Sequence, residues 1–239
     1  MAAPASSSLD QLRRDLYELV NAQFDSPEYR KLLSVRFTPQ GARVFEVQRT
    51  YFVINRRDCW AYASGGAPLD VKRLIWEHER EELIGQDGVP DHVTLSIQEA
   101  EQVGLAAGGF EGTHPTATMQ TCFWAWIHLA KSRPWLEAVT ASSVLEMVVS
   151  DEIVRGGGIV RRLGERMAKD LGLPLKEQAT NAVHLVADME HPNLLFKVAA
   201  AHAQSPEDHA AILRAAADSL TIERTFRGHL ADLIASAAE

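Results

Sequence analysis

The stretch Ala182-Val183-His184-Leu185-Val186-Ala187-Asp188-Met189-Glu190-His191 sets His184, Asp188 and His191 at i, i+4 and i+7. On a helix these three positions fall within an arc of roughly 60°. Two imidazoles and a carboxylate on one face are a donor set suited to a transition metal such as iron. Leu185, Val186 and Met189 make the remainder of the helix apolar, so the polar stripe would lie in a core. There it would be costly without a counter-ion, and a metal removes that cost. Taken alone, the same spacing also fits a solvated helix face or histidines satisfied by neighbouring carboxylates.

A second group is Trp76-Glu77-His78-Glu79-Arg80-Glu81-Glu82, followed past Gly85 by His92. A Glu at the end of one helix and a His opening the next can converge on a shared metal, although an acidic run is otherwise a solvated face. The third candidate is Glu146, flanked by Val144, Leu145, Met147, Val148 and Val149. An ionised carboxylate in so apolar a stretch requires a partner.

These side chains need elements to hold them. In a chain of 239 residues, 46% are hydrophobic, 23% charged and 7% aromatic. That is the composition of a folded chain with one sizeable core. No repeat or low-complexity linker divides it, so a single domain over 1–239 is expected, with residues 1–8 disordered. Helical periodicity recurs over Leu9–Gln23, Phe45–Ala63, Leu69–Ile84, Pro90–Val103, Pro115–His128, Pro134–Val149 and Ile159–Leu171. It returns from Leu175 through His191 and over Pro206–Ala237. The expectation is an all-α bundle of about eight or nine helices that builds its site from inward-pointing polar side chains.

The net charge of −8 and the absence of a basic block argue against a nucleic-acid partner. No apolar run reaches about 18 residues, so no membrane span is expected. Residues 1–8 show no leader pattern, and Cys59 and Cys122 have neither zinc-finger nor disulfide-framework spacing. Together these features point to the cytoplasm. Phe123, Trp124 and Trp126 read as core packing. His78, His114, His128, His202, His209 and His229 read as structural or exposed.

Glu82, His92, Glu146 and the His-x3-Asp-x2-His segment together resemble the heme-oxygenase-like diiron oxidases, relatives of thiaminase-like and pyrroloquinoline-quinone-synthase-like proteins. Three stretches carry the resemblance: Glu82 to His92 with Ala100-Glu-Gln-Val-Gly-Leu105, Ala141-Ser-Ser-Val-Leu-Glu146, and His184/Asp188/His191. It implies a heme-oxygenase-like bundle in which Glu82, His92, Glu146, His184, Asp188 and His191 hold two ferrous irons per chain. Glu82 or Glu146 would bridge the metals, with dioxygen as co-substrate. The register leaves Glu81 as an alternative to Glu82, and Glu152 as an alternative to Glu146.

The outcomes implied are N-oxygenation, oxidative decarboxylation or carbon–carbon cleavage of a small amino-acid- or carboxylic-acid-derived metabolite. The resemblance also implies a homodimer. The second expected helix would line the substrate pocket with Tyr51, Asn55, Arg56 and Trp60, where Arg56 or Arg36 could pair with a substrate carboxylate. Two other readings compete. One is a cofactorless or thiaminase-like hydrolase using Cys122 or Cys59 as nucleophile; the other is a non-enzymatic helical binding module.

Overall fold

The computed structural model describes residues 5–85, 88–187 and 193–237, with side chains over 8–85, 88–183 and 193–237. The described residues form helices and no β-strand. In chain order the α-helices are α1 (Ala5–Gln23), α2 (Pro27–Ser34), α3 (Pro39–Gly66), α4 (Leu69–Ile84), α5 (His92–Gln102) and α6 (Ala117–Ser132). They continue with α7 (Trp135–Val149), α8 (Ile159–Leu171), α9 (Ala179–Ala187), α10 (Leu194–His202) and α11 (Pro206–Ser236). Short 3-10 turns lie at Gly109–Gly112 and Leu175–Glu177. None of the described helices is long and apolar enough to cross a membrane.

Local chemistry explains most boundaries. Ser26 caps α2 by accepting from the Tyr29 amide at 3.3 Å, with Pro27 opening the helix. Thr38 and Pro39 do the same for α3, which therefore starts six residues ahead of the expected Phe45. Ser205 and Asp208 form a reciprocal capping box on α11. Gly172 closes α8 in the left-handed conformation. Residues 5–8, expected to be disordered, form the first turn of α1, where the Ser8 hydroxyl meets His209 of α11 at 3.3 Å.

Two helices organise the core. In α7 almost every residue from Leu136 to Val148 is buried, the mark of a helix enclosed on all sides. The long α11 packs against α1, α2, α3, α6 and α7, burying Ile212, Leu220, Phe226, Leu230 and Ile234. In α6, Phe123 and Trp126 turn into this core. Trp124 is a third of a turn away and 64% exposed, so it is a surface residue rather than the core residue expected.

The helix that carries His184 is bolted down at its first turn. Glu99 of α5 accepts from the Thr180 amide at 3.1 Å, and Gln102 of α5 accepts from the Ala179 amide at 3.3 Å. The Gln178 amide group reaches Gly164 O on α8 at 2.9 Å, and Asn181 donates to Gln178 at 2.7 Å. Gly164 permits this approach. A Cβ there would lie 2.5 Å from Leu175 Cδ2 and 2.6 Å from Asn181 Nδ2. Ala in place of a helix-interior Gly ordinarily gains up to about 1 kcal/mol. Here overpacking should reverse the sign, and Gly164→Ala is expected to lose about 1–2 kcal/mol in urea denaturation. An unchanged or raised midpoint would contradict this packing.

Candidate functional site

A cavity of about 80 Å3 opens between α3, α4, α5, α7, α8, α9 and α11. Glu82, His92 and Glu146 all line it. Glu82 stands in the last turn of α4, which ends at Gly85 with φ +82°. His92 opens α5 behind the capping residue Asp91, whose carboxylate accepts from the Thr94 amide at 3.0 Å. The close succession of one helix end and one helix start brings Glu82 Oε1 within 2.9 Å of His92 Nδ1. Glu82, rather than the half-buried Glu81, faces the cavity. Likewise Glu146 faces it, while Glu152 is exposed in the turn beyond α7.

Both carboxylates are met by guanidinium groups from α3. Arg57 Nη1 lies 2.7 Å from Glu82 and 3.2 Å from Glu79, and Arg56 is paired with Glu146. Burial alone would push the Glu82 carboxyl up. Arg57 and His92 outweigh it and hold Glu82 well below the usual carboxylate range. His78, read from sequence as structural or exposed, is buried beside this group: its Nδ1 is 3.1 Å from Glu79 and its Nε2 3.7 Å from Glu146.

The other ligand candidates fall at the edge of what the structure describes. The His184 backbone belongs to α9, but its side chain, and all of Asp188 and His191, lie outside the described residues. Among the described residues, no three His, Cys, Asp or Glu side chains converge as a complete metal-binding group. The expected pocket residues separate. Arg56 lines the cavity. Tyr51 turns away, donating to Thr113 O at 2.6 Å and stacking on Phe110. Asn55 points to α6, donating to Phe123 O at 3.4 Å. Trp60 is buried against His78 with ring centroids 5.2 Å apart, behind the cavity wall, and Arg36 is exposed.

A further charged group was not foreseen. Arg49 reaches Glu46 at 2.6 Å, Glu99 at 2.9 Å and the Thr180 hydroxyl at 3.0 Å. Arg227 of α11 lines the same cavity and is held by Glu223 at 3.1 and 3.2 Å. The sequence did carry a signal: Glu46, Arg49, Arg56 and Arg57 share a face of α3 with Phe45, Phe52 and Val53. Charged residues on an apolar face of so long a helix mark a buried polar site.

The cysteines stand apart from this site, and neither lines the cavity. Burial pushes the Cys59 thiol up to about 12 and raises that of Cys122 as well. Neither is poised as the nucleophile that a hydrolase would need.

Residues 43–224 match a family model described as iron-containing redox enzyme. No curated protein matches the chain. Similar solved structures include a domain of unknown function with a heme oxygenase-like fold from Shewanella denitrificans, 13% identical with a TM-score of 0.73. That match covers 95% of this chain and 91% of the other. A CADD-like protein of unknown function from Nostoc punctiforme is 18% identical, with a TM-score of 0.67 over 98% of each chain. A TenA homologue protein from P. horikoshii is 16% identical, with a TM-score of 0.63 over 95% of this chain and 98% of that one. At these identities the likeness is one of fold, and the fold is heme-oxygenase-like.

Proposed function

The chain belongs to the family of iron-containing redox enzymes, and from that premise we propose that it is a non-heme diiron oxidase. It would use dioxygen to oxidise a small amino-acid- or carboxylic-acid-derived metabolite, by N-oxygenation, oxidative decarboxylation or carbon–carbon cleavage. The observation that carries this reading is the contact of Glu82 with His92 at 2.9 Å on a cavity that Glu146 also lines. Carboxylate oxygen and imidazole nitrogen in one buried site are the donor types that ferrous iron takes. The proposed ligands are Glu82, His92, Glu146, His184, Asp188 and His191, with Glu82 or Glu146 between the two metals. Asn181 lines the cavity, and position 184 follows it by three residues on the same face of α9.

When bound, the irons supply electrons for reducing dioxygen. The protein's residues do the rest. Arg57 and Arg56 neutralise Glu82 and Glu146. With those carboxylates committed to metal, Arg56 is left to pair with a substrate carboxylate. Phe52, Val53, Leu145, Val149, Ile159 and Leu163 give the cavity apolar wall beside the proposed ligands. The proposed setting is a homodimer in the cytoplasm.

The test is anaerobic titration of the chain with ferrous iron, followed by admission of air while visible absorbance is recorded. About two irons per chain, as the six-ligand set requires, and an oxygen-dependent absorbance change are the expected result. Failure to bind iron, with and without candidate amino and carboxylic acids, would overturn the proposal.

A further inference from the structure

Helix α3 runs the length of the cavity, and its cavity-facing side chains change character along it. At 1.5 Å per residue, Glu46 and Arg57 are about 16 Å apart along the helix axis. The Arg57 end holds Glu82, His92 and Glu146. The middle is lined by Phe52, Val53, Leu145 and Leu163, with the Arg227 guanidinium 5.5 Å from the Phe52 ring centre. The Glu46 end gathers Arg49 from the same helix, Glu99 from α5, and Thr180 and Asn181 from α9.

Carboxyl groups outnumber guanidinium groups at this far end. One guanidinium, Arg49, serves two carboxyl groups, Glu46 and Glu99. One Glu99 oxygen takes both Arg49 and the Thr180 amide. Glu46 gives Oε2 to Arg49, but its Oε1 is buried and has no hydrogen-bond partner among the described residues. Glu46 is wholly buried, yet it lines the cavity. Among the described residues, the other arginine that lines the cavity, besides the three of α3, is Arg227, and Glu223 already holds it. A buried acceptor without a donor is costly, and the missing donor here should carry positive charge.

We propose that the Glu46 end of the cavity is a subsite for the ammonium group of an aliphatic amine, whose chain lies along Phe52 and Val53 toward the Glu82–His92 end. This rests on reading the cavity as the substrate site, and it narrows the substrate class to amines. Burial pushes the Glu46 carboxyl up to about 8, with Glu99 adding to that rise and Arg49 opposing it. Glu46 therefore holds a proton near neutral pH, and an arriving ammonium displaces it.

Calorimetry on the full-length chain tests this, both iron-free and loaded anaerobically with ferrous iron, using n-hexylammonium and 1-hexanol as probes. The expected result is binding of n-hexylammonium with net proton release, read from the difference between two buffers, and weaker binding of 1-hexanol. Glu46→Gln should weaken n-hexylammonium by about tenfold or more, the loss of one charge-assisted hydrogen bond, and leave 1-hexanol unchanged. Equal affinity of Glu46→Gln and the parent chain for the amine would overturn the subsite. So would an alcohol that binds the parent as tightly, or an amine that does not bind at all. The two parent-chain measurements decide the matter even if Glu46→Gln fails to fold. Binding to the iron-free chain is read separately from iron stoichiometry, so failure of this subsite and failure of the oxidase reading are distinguishable.

Discussion

Replacing Arg49 by Met should lower the stability of the folded chain by about 3–5 kcal/mol, the cost of breaking a buried ion pair from one side. Arg49 is buried and makes three side-chain contacts, to Glu46, Glu99 and Thr180. Its removal leaves the Glu99 carboxylate without a counter-charge at the junction of α3, α5 and α9. Glu99 also receives the Thr180 amide at the start of α9, so the damage reaches the helix that carries His184. Arg49→Lys should lie between the two, because a point ammonium cannot fork to both carboxyl groups as the planar guanidinium does. A chain of this size shifts its melting temperature by about 2–4 °C per kcal/mol, so a fall on the order of 10 °C is expected. The control is the double variant. Arg49→Met with Glu99→Gln removes both charges and keeps an acceptor for Thr180, and it should be more stable than Arg49→Met alone. If the double variant is the less stable of the two, the buried-charge account is wrong.

His92→Ala should have the larger effect on function. Loss of hydrogen-bond partners around a metal site typically costs 10–100-fold in metal affinity, and loss of a ligand itself should exceed about a hundredfold. Under the diiron proposal the variant is expected to bind about one iron or none, and to lose the oxygen-dependent absorbance change. Glu82→Gln and Glu146→Gln should behave alike. Glu81→Gln should retain both irons, because Glu82 is the residue beside His92. Tyr51→Phe loses only the hydroxyl bonded to Thr113, and it should leave iron binding intact. Iron stoichiometry by metal analysis after anaerobic loading and desalting would read all five. Iron lost from Glu81→Gln and kept in Glu82→Gln would reassign the register of the site.

Much of the architecture follows from local rules that a sequence displays openly. The helices Leu69–Ile84 and Ile159–Leu171 are found where periodicity and glycine stops place them. The all-α class needs nothing more than these repeated stripes. Helix α2 is announced by Ser26-Pro27 alone, because its two turns are too short for periodicity to register. The stretch expected as one helix from Leu175 through His191 instead begins with a 3-10 turn at Leu175–Glu177, before α9 opens at Ala179.

The need of Glu146 for a partner was likewise readable, because burying a carboxylate in apolar surroundings is costly whatever the fold. Which partner it takes was not. Arg56 is 90 residues away, and Arg49 meets Thr180 across 131. Such pairings depend on how each helix is rotated about its axis and how the helices cross. Those are properties of packed pairs of helices rather than of any one segment. The same holds for Tyr51 and Asn55, which lie on the expected helix but face α6 and the loop before it. The sequence alone thus determined the all-α class, most of the longer helices and the kinds of chemistry they carry. Tertiary packing decided which residues meet around the cavity, because a one-residue step turns a side chain by about 100°.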